Sequence, residues 1–446
     1  MASGEQPYVV DIPEGSQHQQ CSWRDRIQDR VKNYNRDEEE KYWTKTSIYH
    51  LPEFAKKMKE SDLTPQVVSF GPYHHGKANL KRIEDYKPKV LVHFLLKAGR
   101  PLTDFITAIE QVLEELRGSY DHLEDEWIKD EEGFVKLMIT DGCFMLEILR
   151  LDPATGDKSY PDHDPIFSLH GALHKLPYIK RDMLMLENQI PLLVLKVLMQ
   201  VEAVGKSRQQ QVTDVKINEL VYNFYNKKTN GQGGPLGLHV LDLYRKSMII
   251  TGGKSRSPVT DKSSGIEAMQ TAVKLRECGV RFRKSGDNSI SFDNGELKLP
   301  ILSIDDSTKS IFLNLMAFEH LHVGVRSEIS SYLCFMDKLV DSEQDVHLLA
   351  KKGIIKNAVG SEKAVAEILN SLTEEITLDP TNEFEDVSDK VFKYSQKKIH
   401  KWGAILRHQH FNNPWSGLAV ITAILLLVMT AVQTVYTAIG YYHGKN

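Results

Sequence analysis

The stretch SGLAVITAILLLVMTAVQTVYTAIG, Ser416 to Gly440, with Leu425 and Thr430 near its middle, carries no charged side chain. Its length matches the roughly 20 to 25 residues that a helix needs to cross the hydrocarbon of a bilayer. Core helices seldom run so long without a polar stripe, so a transmembrane helix is expected here. Trp415 on one side and Tyr436, Tyr441 and Tyr442 on the other are amphipathic rings suited to two membrane interfaces. HGKN follows, which makes the chain read as tail-anchored. Within the span, Thr422, Thr430, Thr434 and Thr437 share a helix face. That face either packs on another helix or bonds back to its own preceding turn.

Lys390, Lys393, Lys397, Lys398, Lys401 and Arg407 precede the apolar stretch, and Lys445 follows it. The positive-inside tendency then places the large amino-terminal part in the cytosol. The basic cluster also suits anionic lipid headgroups, at about 1 kcal/mol per basic side chain, although a solvated helix face explains it too. The opening MASGEQPYVVDIPEGSQHQQ lacks a basic region followed by an apolar core, so no signal peptide is expected there.

The 446 residues are 41% hydrophobic, enough to fill a real core. Lys and Arg number 56 against 60 Asp and Glu, a net charge of -4, so no nucleic-acid partner is expected. Cys21, Cys143, Cys278 and Cys334 are scattered, with no CxxC pair and no zinc spacing. No Asn-x-Ser/Thr sequon occurs, and both signs favour a reducing compartment.

Hydropathy patterning divides the chain into a mobile polar arm (1–43), a largely helical globular domain (44–390) with a loop-rich middle (about 202–264), a basic juxtamembrane segment (391–415), the span (416–440) and a short tail (441–446). The expected class is mostly α (α+β), with a small antiparallel hairpin or sheet. WRDRIQDRVKNY suggests a short helix in the arm. In SIYHLPEFAKKMK, the apolar Ile48, Leu51, Phe54, Ala55 and Met58 recur at near-helical spacing. YKPKVLVHFLLKAG, LTDFITAIEQVLEELRGSY, EGFVKLMITDGCFMLEILRL and RDMLMLENQIPLLVLKVLMQV each alternate apolar and polar faces at the helical period. Near GVRFRKSGDNSISFDNGELKLPILSID the pattern switches to strand alternation, with Asn294-Gly295 as the preferred tight hairpin turn. Asp306 or Ser307 is placed to cap the helix that follows.

SFGPYHHGK has the residue types of a site: Gly71, Pro72, Tyr73, His74, His75 and Gly76. A phosphate loop requires GxxxxGK[ST], whereas Lys77 is followed by Ala78. The adjacent histidines diverge in an extended chain, and no HxH or HExxH supplies a companion metal ligand. The stretch therefore reads as a strand, a turn and a basic helix anchored by Leu80 and Ile83. His170 and His174 are four apart, a spacing that suits metal ligands but lacks a third donor. Asp305-Asp306 resembles a metal-binding pair but stands where a helix cap belongs. Glu187, beside Asn188 and Gln189, lies among apolar residues and is either an acid or base of raised pKa or a buried, hydrogen-bonded carboxylate. No catalytic, cofactor-binding or metal-binding residue is assigned, and no cofactor is expected.

SIYHLPEFAKKM, VVSFGPYHHGKANLKRIEDYK, DGCFMLEILR, DMLMLENQIPLLVL, AVKLRECGVRF, FDNGELKLPILSIDDST, NLMAFEH, FMDKLVDSEQDVHLLAKKGII and PWSGLAVITAILLLVMTAVQTVY occur in this order. From about Ser47 onward the chain resembles the plant family called domain of unknown function 247, also described as UPF0481-type. Lys309 and His320 depart from residues common in that family, an acid and Gln respectively. The resemblance implies a plant protein with a C-terminal membrane segment and no established catalytic residues. Some grass members are implicated as pollen-side determinants of self-incompatibility. The function expected is non-enzymatic recognition or signalling at a plant membrane, with the membrane, an unknown protein and anionic lipid as partners. One alternative is an enzyme gathering Glu187, Asp305 and His74 or His75 around a cleft; another is a lipid-binding scaffold.

Overall fold

A computed structural model describes residues 23–51, 61–204, 212–227, 234–249, 269–286, 288–373, 384–396 and 414–443. Residues 1–45 form one unit and 46–446 a second. The first contains the helices Trp23–Lys32, where the arm was expected to be helical, and Arg36–Lys45.

The second unit is mostly helical with small sheets. Its central element is the twenty-residue helix Glu131–Arg150, in which every residue from Asp141 to Leu149 is buried. A helix buried on all faces needs neighbours all round; Lys87–Ala98, Leu102–Glu110 and Leu192–Ala203 supply them. Gly142 permits the closest approach. A Cβ there would lie 2.6 Å from both Val194 Cγ1 and Leu198 Cδ1. Each Leu or Phe sealed in this core contributes about 1.5–3 kcal/mol relative to exposure.

A second group of helices, Thr308–Leu321, Glu328–Leu339, Glu343–Lys351 and Glu362–Thr373, packs beside two small sheets. Strands β1 (Arg281–Lys284), β2 (Ser291–Asp293) and β3 (Glu296–Leu299) order as β1-β3-β2. The β2–β3 pair is the antiparallel hairpin expected, with φ of 48° at Asn294 and 75° at Gly295. Tyr394 seals that turn from above, its hydroxyl 2.3 Å from where a Gly295 Cβ would stand. Alongside the hairpin, β1 runs parallel to β3, and β4 (Leu302–Ile304) pairs in parallel with β5 (Ile355–Asn357). The helix Glu385–Ser395 buries Val387, Val391 and Ser395, so regular packing continues past residue 390.

Three expectations are corrected. Thr46–Leu51 is extended rather than helical, with Ile48 bridged in parallel to Tyr120; Phe54, Ala55 and Met58 lie outside the described residues. The single helix expected over RDMLMLENQIPLLVLKVLMQV is broken, ending at Asp182 and resuming at Leu192 after Pro191. The polar triplet Glu187-Asn188-Gln189 occupies the break.

The third correction concerns the membrane span and the single-pass localisation drawn from it. Among the described residues no helix is long and apolar enough to cross a membrane. Pro414–His443 is helical, and its side chains are described over 421–437. Leu425 and Thr430 lie in that stretch, while Ser416 and Gly440 fall on the flanking turns of the same helix. Thr430, Thr434 and Thr437 each donate to the carbonyl four residues back, at 2.7, 2.7 and 2.8 Å, the self-bonding alternative for the threonine stripe. Of the basic cluster, Lys393 is exposed beside Asp389; Lys397, Lys398, Lys401 and Arg407 lie outside the described residues.

Candidate functional site

The extended segment Gln66–Gly71 has no partner strand among the described residues, yet its buried amides must be satisfied. Side chains do the work of a ladder. Asp182 Oδ2 accepts from the amides of Gln66, Val67 and Val68 at 3.0, 2.7 and 3.1 Å. Asn188 receives the Phe70 amide at 2.6 Å and donates to the carbonyls of Val68 and Asp182 at 3.0 and 2.8 Å. Asp141 Oδ2 accepts the Gly71 amide at 2.7 Å. Burial raises the pKa of Asp182, although the three amides and Arg181 partly offset it.

Lys87, fully buried, sits behind this segment. Its ammonium donates to the Ser69 carbonyl and to Asp141 Oδ1, both at 2.6 Å, and also reaches Glu84. One cation therefore serves two carboxylates, and they respond oppositely. Burial pushes Glu84 up, but His75, Lys87 and Ser69 outweigh it and hold the carboxyl down to about 2. In Asp141, sealed from solvent, burial and the charge of Glu84 win, and the pKa rises.

SFGPYHHGK then turns on Gly71 and Gly76, with φ of 74° and 76°. His75 Nδ1 is 3.3 Å from Glu84 Oε2 and its ring meets Trp127 edge-on at 5.4 Å. Tyr73 donates to the carbonyls of Ile48 and Asp121. His74 is buried, with Nε2 3.3 Å from Glu187 Oε2. On the other oxygen, Glu187 Oε1 accepts from His50 Nδ1 and the Leu51 amide, both at 2.7 Å. Gln189 donates to the carbonyls of Met183 and Met185 at 2.7 Å and accepts the Leu241 amide at 3.2 Å. The break at Glu187-Asn188-Gln189 is thus a cluster of side chains that hold four separate chain segments.

The structure brings Gly71 to Gly76 and Glu187 to Gln189 together and leaves Asp305-Asp306 apart. Asp305 and Asp306 are exposed; Asp305 Oδ1 accepts from the Ser307 amide at 2.9 Å and the Thr308 hydroxyl at 3.0 Å, opening the Thr308–Leu321 helix. Ser307, one of the two residues the sequence suggests, occupies the N-cap position but makes no side-chain capping bond. Asp141, Lys87, Asp182 and His50 were missed. A signal existed for Asp141 and Asp182, each a lone carboxylate inside an apolar run, where burial demands a partner. His170 and His174 do share an exposed face, ring centroids 4.5 Å apart. Among the described residues no group of three His, Cys, Asp or Glu side chains is placed to hold a metal ion. A surface cavity of about 250 Å³ lies between Arg150, Glu202, Val212 and Lys216 and is lined by none of the motif residues.

The profile of the family DUF247, described as a plant protein of unknown function, matches residues 48–429. The chain belongs to this family. It is similar to the UPF0481 protein At3g47200 of Arabidopsis thaliana, 28% identical over 433 residues, covering 90% of this chain and 87% of that protein. It is also similar to the putative UPF0481 protein At3g02645 of Arabidopsis thaliana, 26% identical over 164 residues, 36% of this chain and 31% of that one. No solved structure matches. The motif stretches SFGPYHHGK and DMLMLENQIPLLVL both fall inside the matched region, so the side-chain ladder joins two stretches of this DUF247 protein.

Proposed function

We propose that this DUF247 protein is a non-enzymatic interaction protein acting in recognition or signalling, with a protein partner. The observation that carries the reading is how the chemically loaded motif residues are spent. Glu187 is met by His50, His74 and the Leu51 amide; Asp141 and Asp182 by an ammonium and backbone amides. A general base must reach a substrate proton within about 3 Å, and these groups are turned on one another instead. The enzyme alternative asks Asp305 to join Glu187 and His74 at a cleft, and Asp305 is engaged in starting a helix elsewhere.

The test replaces Glu187 with Gln, which keeps shape and removes charge, and introduces the variant into a plant lacking the wild-type protein. Partners of the full chain are recorded by proximity labelling, and the folded amount is measured in parallel. The interaction reading expects phenotype and partner set to track folded abundance. Loss of function at unchanged abundance and unchanged partners would favour an enzyme.

A further inference from the structure

The helix Leu169–His174 rests on the core through its two smallest residues. Gly171 and Ala172 are buried, and a Cβ at Gly171 would stand 2.6 Å from the backbone of Ile166. The larger side chains of the helix are therefore turned outward. Leu169 and Leu173 are 47% and 59% exposed, and His170 and His174 beside them are exposed too. At about 100° per residue, the leucines and the histidines form two i, i+4 rows on one face. The imidazole rings lie 4.5 Å apart, tilted by 50°. Neither ring has a hydrogen bond or ion pair among the described residues.

We propose that His170 and His174 are half of a zinc site that a second copy of this chain completes. Structural zinc takes four protein ligands in a tetrahedron, with imidazole nitrogens at about 2.0–2.1 Å. Histidines at i and i+4 on one helix face can share such an ion. Two imidazoles on one tetrahedral zinc have ring centres about 5 Å apart, so the observed 4.5 Å is closed by small side-chain rotations. Among the described residues no further His, Cys, Asp or Glu makes a group of three with them. One chain thus supplies two ligands, and a twofold axis through the ion supplies the same two again. The same axis sets the Leu169 and Leu173 row of one copy against that of the other, which takes exposed apolar surface out of water.

The leucines are too few to hold two copies together by themselves. The outward face of a six-residue helix falls far short of the roughly 800 Å² per partner that a stable interface buries. The ion makes up the difference, so zinc sets the state of association. Self-association at this face does not depend on the protein partner proposed above.

The test is sedimentation velocity of the full chain, stripped with EDTA and then titrated with zinc chloride, with bound metal counted in the sedimenting species. The mass should double as one zinc is bound per two chains. Cobalt(II) in place of zinc should give the intense visible absorption of a tetrahedral site. His170→Ala and His174→Ala, both at exposed positions, should each leave the EDTA-treated mass unchanged and abolish the doubling. His347→Ala, which removes an exposed imidazole paired with Glu362, should leave the doubling intact. Leu173→Ser keeps both ligands and should raise the zinc needed for half-dimerisation several-fold. One zinc per chain at unchanged mass, doubling that survives EDTA, or doubling undiminished in both histidine variants would each overturn the shared site.

Discussion

Lys87 Nζ lies 2.6 Å from Asp141 Oδ1, and both side chains are sealed from solvent. A buried pair of this kind is costly to break from one side because the survivor keeps an uncompensated charge. Lys87→Met should therefore destabilise the protein by about 3–5 kcal/mol, read as a lower urea midpoint. Adding Asp141→Asn removes the stranded charge while leaving an acceptor for the Gly71 amide. The double variant should recover part of the loss, and a double variant less stable than Lys87→Met would contradict the charge argument.

Glu84, on the same ammonium, gives a pH signature. Its carboxyl titrates near 4.5 when unfolded and is held down to about 2 when folded. The stability it adds is complete above about pH 5 and vanishes as pH falls through 2. Glu84→Gln should cost about 2 kcal/mol at pH 7 and nothing measurable at pH 2. Parallel denaturation curves, offset equally at all pH values, would remove Glu84 from the network.

Gly71 and Gly76 separate two costs that usually come together. Both have φ near 75°, but a Cβ at Gly71 would stand 2.5 Å from the Gln189 carbonyl oxygen, whereas Gly76 faces open space. Gly76→Ala should cost about 1 kcal/mol, the left-handed penalty alone. Gly71→Ala should cost roughly 3 kcal/mol, because strain and collision add. Thermal melts of the two variants decide it, and equal shifts would mean that the turn moves away from Gln189 freely.

Asp182 offers the plainest test of the side-chain ladder. Three amides converge on one oxygen, and each buried donor left without an acceptor costs about 1–3 kcal/mol. Asp182→Ala should lose roughly 3 kcal/mol or more and raise amide exchange at Gln66, Val67 and Val68 together. Exchange confined to one of the three would show that they are held independently.

What the sequence revealed follows the range of the forces involved. Asn294-Gly295 marked its hairpin because the turn's φ values are a local demand, and Leu80 and Ile83 anchored their short helix as their spacing suggested. Glu187-Asn188-Gln189 was hidden inside an apolar run that reads as continuous helix. The partners that break it, Leu51, Phe70 and Leu241, lie far along the chain. Ile48 and Leu51 misled for the same reason: their helical spacing is real, but Ser119 claims the Ile48 amide. The apolar run at 416–440 announced a helix, which forms; among the described residues no helix is long and apolar enough to cross a membrane.

The ladder of side chains also sets a schedule for biosynthesis. Phe70 waits for Asn188, 118 residues later, before its amide has an acceptor. At about 5–20 residues per second, that interval lasts roughly 6–24 s. During it, apolar Val68 and Phe70 leave the ribosome before the chain that will cover them exists. A factor that shields short apolar segments on nascent chains would thus meet SFGPYHHGK before the rest of the fold does.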